Sequence, residues 1–564
     1  MSLCVFNLKV KLKANIYPKI PLAQAVIEIF RQKGIQHIVI SPGSRNAPLT
    51  IGFTNHDNFS CYSIADERCA AFFALGLAQQ VQQPVAVVCT SGSALLNYYP
   101  AVAEAFYSQI PVLVVSADRP QSKIDIGDGQ TIRQENVFAN HIVYSANLTE
   151  KASESNDILI STAIELAISQ KGPAHINVPF EEPLYQTLLE PTYSPKITIS
   201  TSEKAIFKLD SKFVSEWQSA KKKLILVGEL LPNSIEQKFV ELLAQDESVL
   251  VLLEKTSNLH HTSFIDRIDT LVSTFSEEDK LNFQPELLLT FGGMVVSKRI
   301  KALIRSYQPN QHWHVDELRA YDTFGCLSHH FQTPISSFFN YLLAENTPIK
   351  SNYKSDFQTI WQERLVKHDK YMSEIPFSDF KVFDFLSQHL PSTIQLQVSN
   401  SSPIRYIQLV SINKTIEVFC NRGTSGIDGS TSTAIGAAVA NKKPTLLITG
   451  DISFLYDSNA LWNTYIPKNF KIILINNSGG GIFRILPGHQ ENETFNTFFE
   501  TSHHLTAEHL AKMYLFKYTS AKNENELQSV WDDFIADETS PSILEIFTPE
   551  KLNNSILLDY FKHL

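Results

Sequence analysis

The sequence predicts an α/β protein built from three doubly wound parallel sheets. Short, wholly apolar runs of strand length alternate with helix-length segments, the pattern of parallel strands covered on both faces. The alternation restarts twice, after stretches where the periodicity dissolves. The 564 residues exceed what one hydrophobic core holds, so two to four domains are expected.

In the first run, Ile35–Ile40 reads as a strand ending in the loop Ser41-Pro42-Gly43-Ser44-Arg45. A helix with small residues on one face covers Glu67 to Gln80. Pro84–Cys89 is a buried strand, Thr90-Ser91-Gly92-Ser93 a turn, and Ala94–Ser108 a helix. Pro111–Ser116 is the next strand, closed by Ala117-Asp118-Arg119-Pro120, and Ala174–Val178 a further one. From 190 to 201 Pro, Ser, Thr and Tyr replace the pattern, a candidate linker. The second run holds strands at Lys223–Val227, Ser248–Leu253, Leu287–Phe291 and Trp313–Val315, and a second boundary is expected over 332–356. The third holds Thr393–Val398, Ile416–Phe419, Thr445–Thr449, Lys471–Ile475 and Ser542–Phe547. The expected domains are 1–188, 189–350 and 351–564. Residues 1–13 read as a short extension or first strand.

Composition narrows the function class. A net charge of -10 argues against a nucleic-acid surface but leaves room for a local basic pocket. The cysteines Cys4, Cys61, Cys69, Cys89, Cys326 and Cys420 form no C-x-x-C pair, which favours free thiols in a reducing compartment over metal ligands. No apolar run reaches transmembrane length, and the N-terminus lacks a signal-peptide core. A cytoplasmic protein without membrane insertion is expected.

The strongest chemical signal is Gly450-Asp451-Ile452-Ser453, followed by Asn477 in Asn476-Asn477-Ser478-Gly479-Gly480. Asp451 and Asn477 each follow a buried strand, at the sheet edge where α/β proteins bind ligands. A carboxylate and an amide oxygen, with a backbone carbonyl turned inward at Gly479, suit magnesium and a diphosphate. The pairing of the two words favours this over two ordinary helix-capping loops. Asp66-Glu67-Arg68 opens a helix. Glu67 alone reads as an acid favoured by the helix dipole, but beside a diphosphate site it could be the lone carboxylate that activates a heterocyclic cofactor. The loop from Arg422 to Ser430, with Ser425, Gly426 and Ile427, precedes a small-residue helix and is either an anion site or a glycine-eased cap. Of Arg45, Arg119, Lys298, Arg299, Arg405 and Arg422, most lie in or beside loops after strands, where guanidinium groups could converge on carboxylates, although any one alone reads as a solvated surface charge. Ser91 and Ser93 lack a hydrolase context. The pairs His260-His261, His329-His330 and His503-His504 lack metal-ligand spacing and read as surface or local hydrogen-bonding residues.

Read together, these words resemble the MenD family of menaquinone-pathway synthases, within the thiamine-diphosphate decarboxylase superfamily. The matching words are Ser41–Arg45, Asp66–Arg68, Thr90–Ala94, Ala117–Pro120 and Gln130–Gln134. Ser297–Arg299, Asn400–Arg405, Asn421–Gly429, the Gly450-Asp451 and Asn476-Asn477 words and Gly481–Phe483 follow, in the family's order over nearly the whole chain. The superfamily's usual Gly-Asp-Gly carries Ile452 in third place, as that family does. The resemblance implies a pyrimidine-binding, a central and a diphosphate-binding domain, with no reason to expect FAD. It implies a site between two subunits, Glu67 from one and the Asp451 region from the other, hence a homodimer at least and often a homotetramer. The implied cofactors are thiamine diphosphate and Mg2+, with Mn2+ as the alternative ion. The implied reaction decarboxylates 2-oxoglutarate and adds the resulting succinyl carbanion to isochorismate, releasing CO2. Ser44, Arg45, Arg119, Gln130, Lys298, Arg299, Ser401, Arg405 and Arg422 would hold the substrates. Ile427, Ile482 and Phe483 would shape the cofactor pocket. Another thiamine-diphosphate enzyme acting on small 2-oxoacids and a non-catalytic relative are the alternatives.

Overall fold

A computed structural model describes residues 16–196, 207–344, 348–486, 488 and 490–564. The N-terminal extension with Cys4, and the linker beyond 196, lie outside the described residues. The chain divides into two compact units, residues 1–201 and 202–564.

The first unit is built on a six-stranded parallel sheet. Its spatial order is Ser60–Ser63, His37–Ile40, Val85–Cys89, Val112–Asp118, Ala174–Pro179, Tyr144–Asn147. The interior strands Val85–Cys89 and Val112–Asp118 are buried at every residue, as strands covered on both faces must be. The helix Glu67–Val81 packs its small face on this sheet. The segment expected as one helix over 94–108 is two, Ser93–Asn97 and Tyr99–Tyr107. Pro100 falls in the first turn of the second, where its missing N–H costs nothing.

The second unit carries two parallel sheets. One has five strands in the order Val249–Leu253, Lys223–Val227, Leu287–Phe291, Gln311–Val315, Leu327–Phe331. The other has six, in the order Glu417–Phe419, Gln395–Val398, Thr445–Gly450, Lys471–Asn476, Ser542–Phe547, Lys517–Ala521. The expected boundary at 332–356 is not structureless. It contains the helix Ile335–Leu342 and opens the 22-residue helix Tyr353–Glu374. Tyr353, Phe357 and Trp361 of that helix join the core under the five-stranded sheet, and Met372 joins the core of the six-stranded one. The three sheets with flanking helices bear out the expected fold class. Among the described residues no helix is long and apolar enough to cross a membrane, and Cys61, Cys69, Cys89, Cys326 and Cys420 form no disulfide.

Candidate cofactor and metal site

In the last sheet the strand order reverses between Gln395–Val398 and Thr445–Gly450, and such switch points leave a crevice at the strands' carboxyl ends. A cavity of about 310 Å3 lies there. Asn400 and Ser401 line it beyond the first of these strands, Gly450, Asp451, Ile452 and Ser453 beyond the second, and Asn477 and Gly479 beyond Lys471–Asn476. Ile427, Ile482 and Phe483 give it apolar wall, with Phe383 and Tyr406.

Asp451 is buried. Its Oδ1 accepts the Ile452 N–H at 2.7 Å, and its Oδ2 accepts the Gly479 N–H at 3.0 Å. Asn477 donates through Nδ2 to Asp379 Oδ2 at 2.9 Å, while its Oδ1 is buried without a partner. Gly479 has φ +148°, and a Cβ there would come within 2.8 Å of the Glu500 carbonyl, so the tight return of this loop needs glycine. A carboxylate and an orphaned amide oxygen are hard donors that fit Mg2+, and the neighbouring Gly479 carbonyl accepts the Gly481 N–H at 3.0 Å. At the start of the helix Ser430–Ala440, the buried hydroxyls of Ser430 and Thr431 also lack partners. They are donors suited to a diphosphate oxygen.

The surrounding loops are tied together. Asn400 Nδ2 donates to the carbonyls of Asn421 and Gly426, each at 2.7 Å, and Ser453 Oγ donates to the Ile427 carbonyl at 2.9 Å. Ser425 and Gly426 do not line the cavity. Exposed Ser425 sits at φ +60° and makes the turn of this loop. Ser401 and Ser478 also have positive φ, +74° and +65°, so backbone strain gathers at the site.

Two groups passed over in the sequence belong here. Asp379 lines the cavity, and burial pushes its carboxyl up to about 6, against hydrogen bonds from Thr548 and Asn477. No sequence word marks it, because it is an ordinary helix-opening acid. His503, read as a surface or local residue, has Nε2 3.4 Å from Asp451 Oδ2, and that carboxylate raises its pKa.

The basic residues of this unit converge. Arg422 Nη1 donates to Asn400 Oδ1 at 2.7 Å. Arg405 is held below its usual pKa by burial and then by Arg422. Arg299 stacks over the Phe561 ring at 3.9 Å. Asp269, raised by burial, feels Arg299, Arg405 and Lys301. Glu254, fully buried, accepts the N–H groups of Val296 and Ser297 at 2.8 and 3.0 Å and is pushed up to about 7 by burial, with Arg422 opposing. Exposed Lys298 begins the helix Lys298–Ser306 beside them.

In the first unit, Asp66 caps its helix by accepting the Cys69 N–H at 3.1 Å. Glu67 is thereby spared capping and stands half-buried at the first helical position, not enclosed. Its charge adds to burial in raising the Cys89 thiol. Arg45 is buried, donating to the Phe180 carbonyl at 3.1 Å and to Glu182 at 3.0 Å. Arg119 lines a second cavity with Asp118 and Gln134. Asp118, raised by burial, feels both Arg119 and Arg45. Gln130 is exposed at φ +55°, its backbone against Gly92, and Ser44 is exposed.

A hard-cation ligand set opening on an apolar-walled cavity, at the switch point of a parallel sheet, suits a cofactor that joins a diphosphate to a heterocycle. The class is that of thiamine diphosphate enzymes. Family models agree: the thiamine pyrophosphate enzyme N-terminal TPP binding domain matches residues 20–142, the middle domain 196–398 and the C-terminal TPP binding domain 401–546. A 2-succinyl-5-enolpyruvyl-6-hydroxy-3-cyclohexene-1-carboxylate synthase of Flavobacterium psychrophilum is 64% identical over 97% of this chain and 100% of its own length. Those of Flavobacterium johnsoniae, at 63% over 97% and 100%, and Phocaeicola vulgatus, at 36% over 96% and 97%, carry the same name. The chain belongs to this family of thiamine-diphosphate-dependent synthases.

Proposed function

We propose that this chain decarboxylates 2-oxoglutarate and joins the remaining succinyl unit to isochorismate, releasing CO2, as the 2-succinyl-5-enolpyruvyl-6-hydroxy-3-cyclohexene-1-carboxylate synthase of menaquinone biosynthesis. The observation that carries the reading is the junction of the cavity with the basic cluster. Asn400 in the cavity wall accepts Arg422, and Arg422, Arg405, Arg299 and Lys301 share the fields of Asp269 and Glu254. Both substrates are dicarboxylates, and forked guanidinium donors match them; a small apolar 2-oxoacid would not need the cluster.

In this reading Asp451, Asn477 and the Gly479 carbonyl hold Mg2+, with Mn2+ as the alternative, against the diphosphate. Gly450, Ile452, Ser453 and the loop Ser425–Ile427 shape the diphosphate end. Ile427, Ile482 and Phe483 exclude water from the heterocycle. Bound thiamine diphosphate supplies the electron sink for decarboxylation. Glu67 holds and passes the proton at the pyrimidine nitrogen. Ser44, Arg45, Arg119, Gln130, Lys298, Arg299, Ser401, Arg405 and Arg422 orient the two substrates. The chain's periodicity supports domains at 1–188, 189–350 and 351–564, its composition supports a cytoplasmic protein with no nucleic-acid partner, and the family resemblance supports a homodimer or homotetramer.

The test follows isochorismate by ultraviolet absorbance with thiamine diphosphate, Mg2+ and 2-oxoglutarate present, omitting each in turn. Loss that needs all of them, with the adduct identified by mass spectrometry, is the expected result. No loss while the cofactor is bound would overturn the substrate assignment and leave the cofactor class standing.

A further inference from the structure

We propose that Asp379 is a positioning residue that fixes which end of the Asn477 amide faces the cation. The inference rests on the magnesium reading of Asp451 and Asn477. An asparagine amide is nearly symmetric in shape but not in chemistry, since one end accepts and the other donates. Here Nδ2 donates to Asp379 Oδ2 at 2.9 Å. Both Asp379 oxygens accept here, Oδ2 from Asn477 and Oδ1 from the Thr548 hydroxyl. Rotating the amide by half a turn would therefore oppose two acceptors and turn N–H groups toward the cation. Asp379 removes that orientation. What remains is the one observed, with Oδ1 of the cavity-lining Asn477 buried and unpartnered.

Asp379 is itself held from several sides. The Thr548 hydroxyl donates to its Oδ1 at 2.6 Å, and Asn553 Oδ1 accepts its backbone N–H at 2.8 Å. It opens the helix Asp379–His389, whose positive end favours a carboxylate. Thr548 directly follows the strand Ser542–Phe547, and Asn553 begins the last helix. The end of the chain thus braces a carboxylate that braces an amide 98 residues away. Burying a carboxylate is costly unless its oxygens are used, and both are: one takes the brace, the other sets Asn477. A partner that orients a ligand in this way is worth roughly 10- to 100-fold in metal affinity.

Calorimetric titration of Mg2+ at fixed thiamine diphosphate tests this on the full-length protein, with thermal melting to check the fold. D379L removes the acceptor at similar volume and should raise the Mg2+ needed for half-saturation by about 10-fold or more. D379N keeps an oxygen able to face Asn477 Nδ2 but adds a donor that also tolerates the flipped amide, so it should raise it by less than D379L and by more than nothing. Wild-type Mg2+ affinity in D379L overturns the proposal, and so does a loss in D379N larger than that in D379L. If D379L does not fold, T548V decides: removing the brace should weaken Mg2+ binding in the same direction, and an unchanged affinity overturns the proposal. Failure of the unsubstituted protein to bind Mg2+ with thiamine diphosphate would instead sink the metal reading itself, before any substitution is compared.

Discussion

Glu67 shows how one side chain is freed for chemistry. Helices begin with unsatisfied N–H groups, and an acid at the start is normally spent on them. Here Asp66 accepts the Cys69 N–H, so the neighbouring carboxylate has no structural duty at the cap. E67Q should therefore melt like the parent and still bind Mg2+ and thiamine diphosphate, while turnover falls by about 100-fold or more, the scale of a lost general acid–base group. Full activity in E67Q, measured in the isochorismate assay, would remove Glu67 from that role. Asp451 was legible at this scale because it directly follows an apolar strand. Asp379 was not: Ser378-Asp379 reads as a routine helix start, and only the fold brings its carboxylate to Asn477.

Among elements, legibility followed burial. Lys223–Val227, Leu287–Phe291 and Ser542–Phe547 are interior strands dominated by buried apolar residues, and their observed bounds match those expected. Ser60–Ser63, Tyr144–Asn147, Leu327–Phe331 and Lys517–Ala521 all lie at or beside sheet edges, partly exposed. With one side unpaired, they need not be apolar throughout and carry no run to detect. Nor does the basic helix Lys298–Ser306 announce its anchor. Glu254, just past the strand Val249–Leu253, receives the N–H groups of Val296 and Ser297 that lead into it. Its pKa is raised from 4.5 to about 7 by burial, with Asp269 adding and Arg422 opposing. In the unfolded chain it titrates near 4.5, so below that pH the folded state keeps the full advantage of a neutral Glu254. The advantage is lost as pH rises through about 7, a change on the order of 3 kcal/mol. Gln at this position cannot ionise and still accepts both N–H groups. The melting temperature of E254Q should therefore gain on the parent as pH goes from 5 to 8. Parallel melting curves across that range would show that the fold does not raise the Glu254 pKa.

At the scale of the molecule, two of the three large parallel sheets have the same wiring. Numbered along each sheet's own stretch of chain, the strands of the first unit and of the last sheet both run in the spatial order 2-1-3-4-6-5. Both therefore have a switch point between strands 1 and 3, where a ligand crevice is expected. Topology alone would allow two equivalent cofactor sites per chain, and the loops decide otherwise. In the last sheet strand 3 ends in Gly450-Asp451, with an orphaned amide oxygen from Asn477 beyond the next strand. In the first, strand 3 ends in Thr90-Ser91-Gly92-Ser93, with no carboxylate to bring to a cation. There the loops also close on each other: a Cβ on Gly43 would come within 2.3 Å of Thr90, and the Arg45 N–H reaches Thr90 Oγ1 at 3.3 Å. Hard-cation binding demands oxygen ligands with room for the diphosphate between them, and of the two switch-point crevices the last sheet's offers both. Calorimetry with Mg2+ and thiamine diphosphate should therefore give one cofactor per chain. D451A should abolish the Mg2+-dependent binding rather than halve it, because no second crevice can take over. A stoichiometry of two, or half the sites surviving in D451A, would mean that the first sheet's closed loops open to a cation and that shared wiring outweighs loop chemistry.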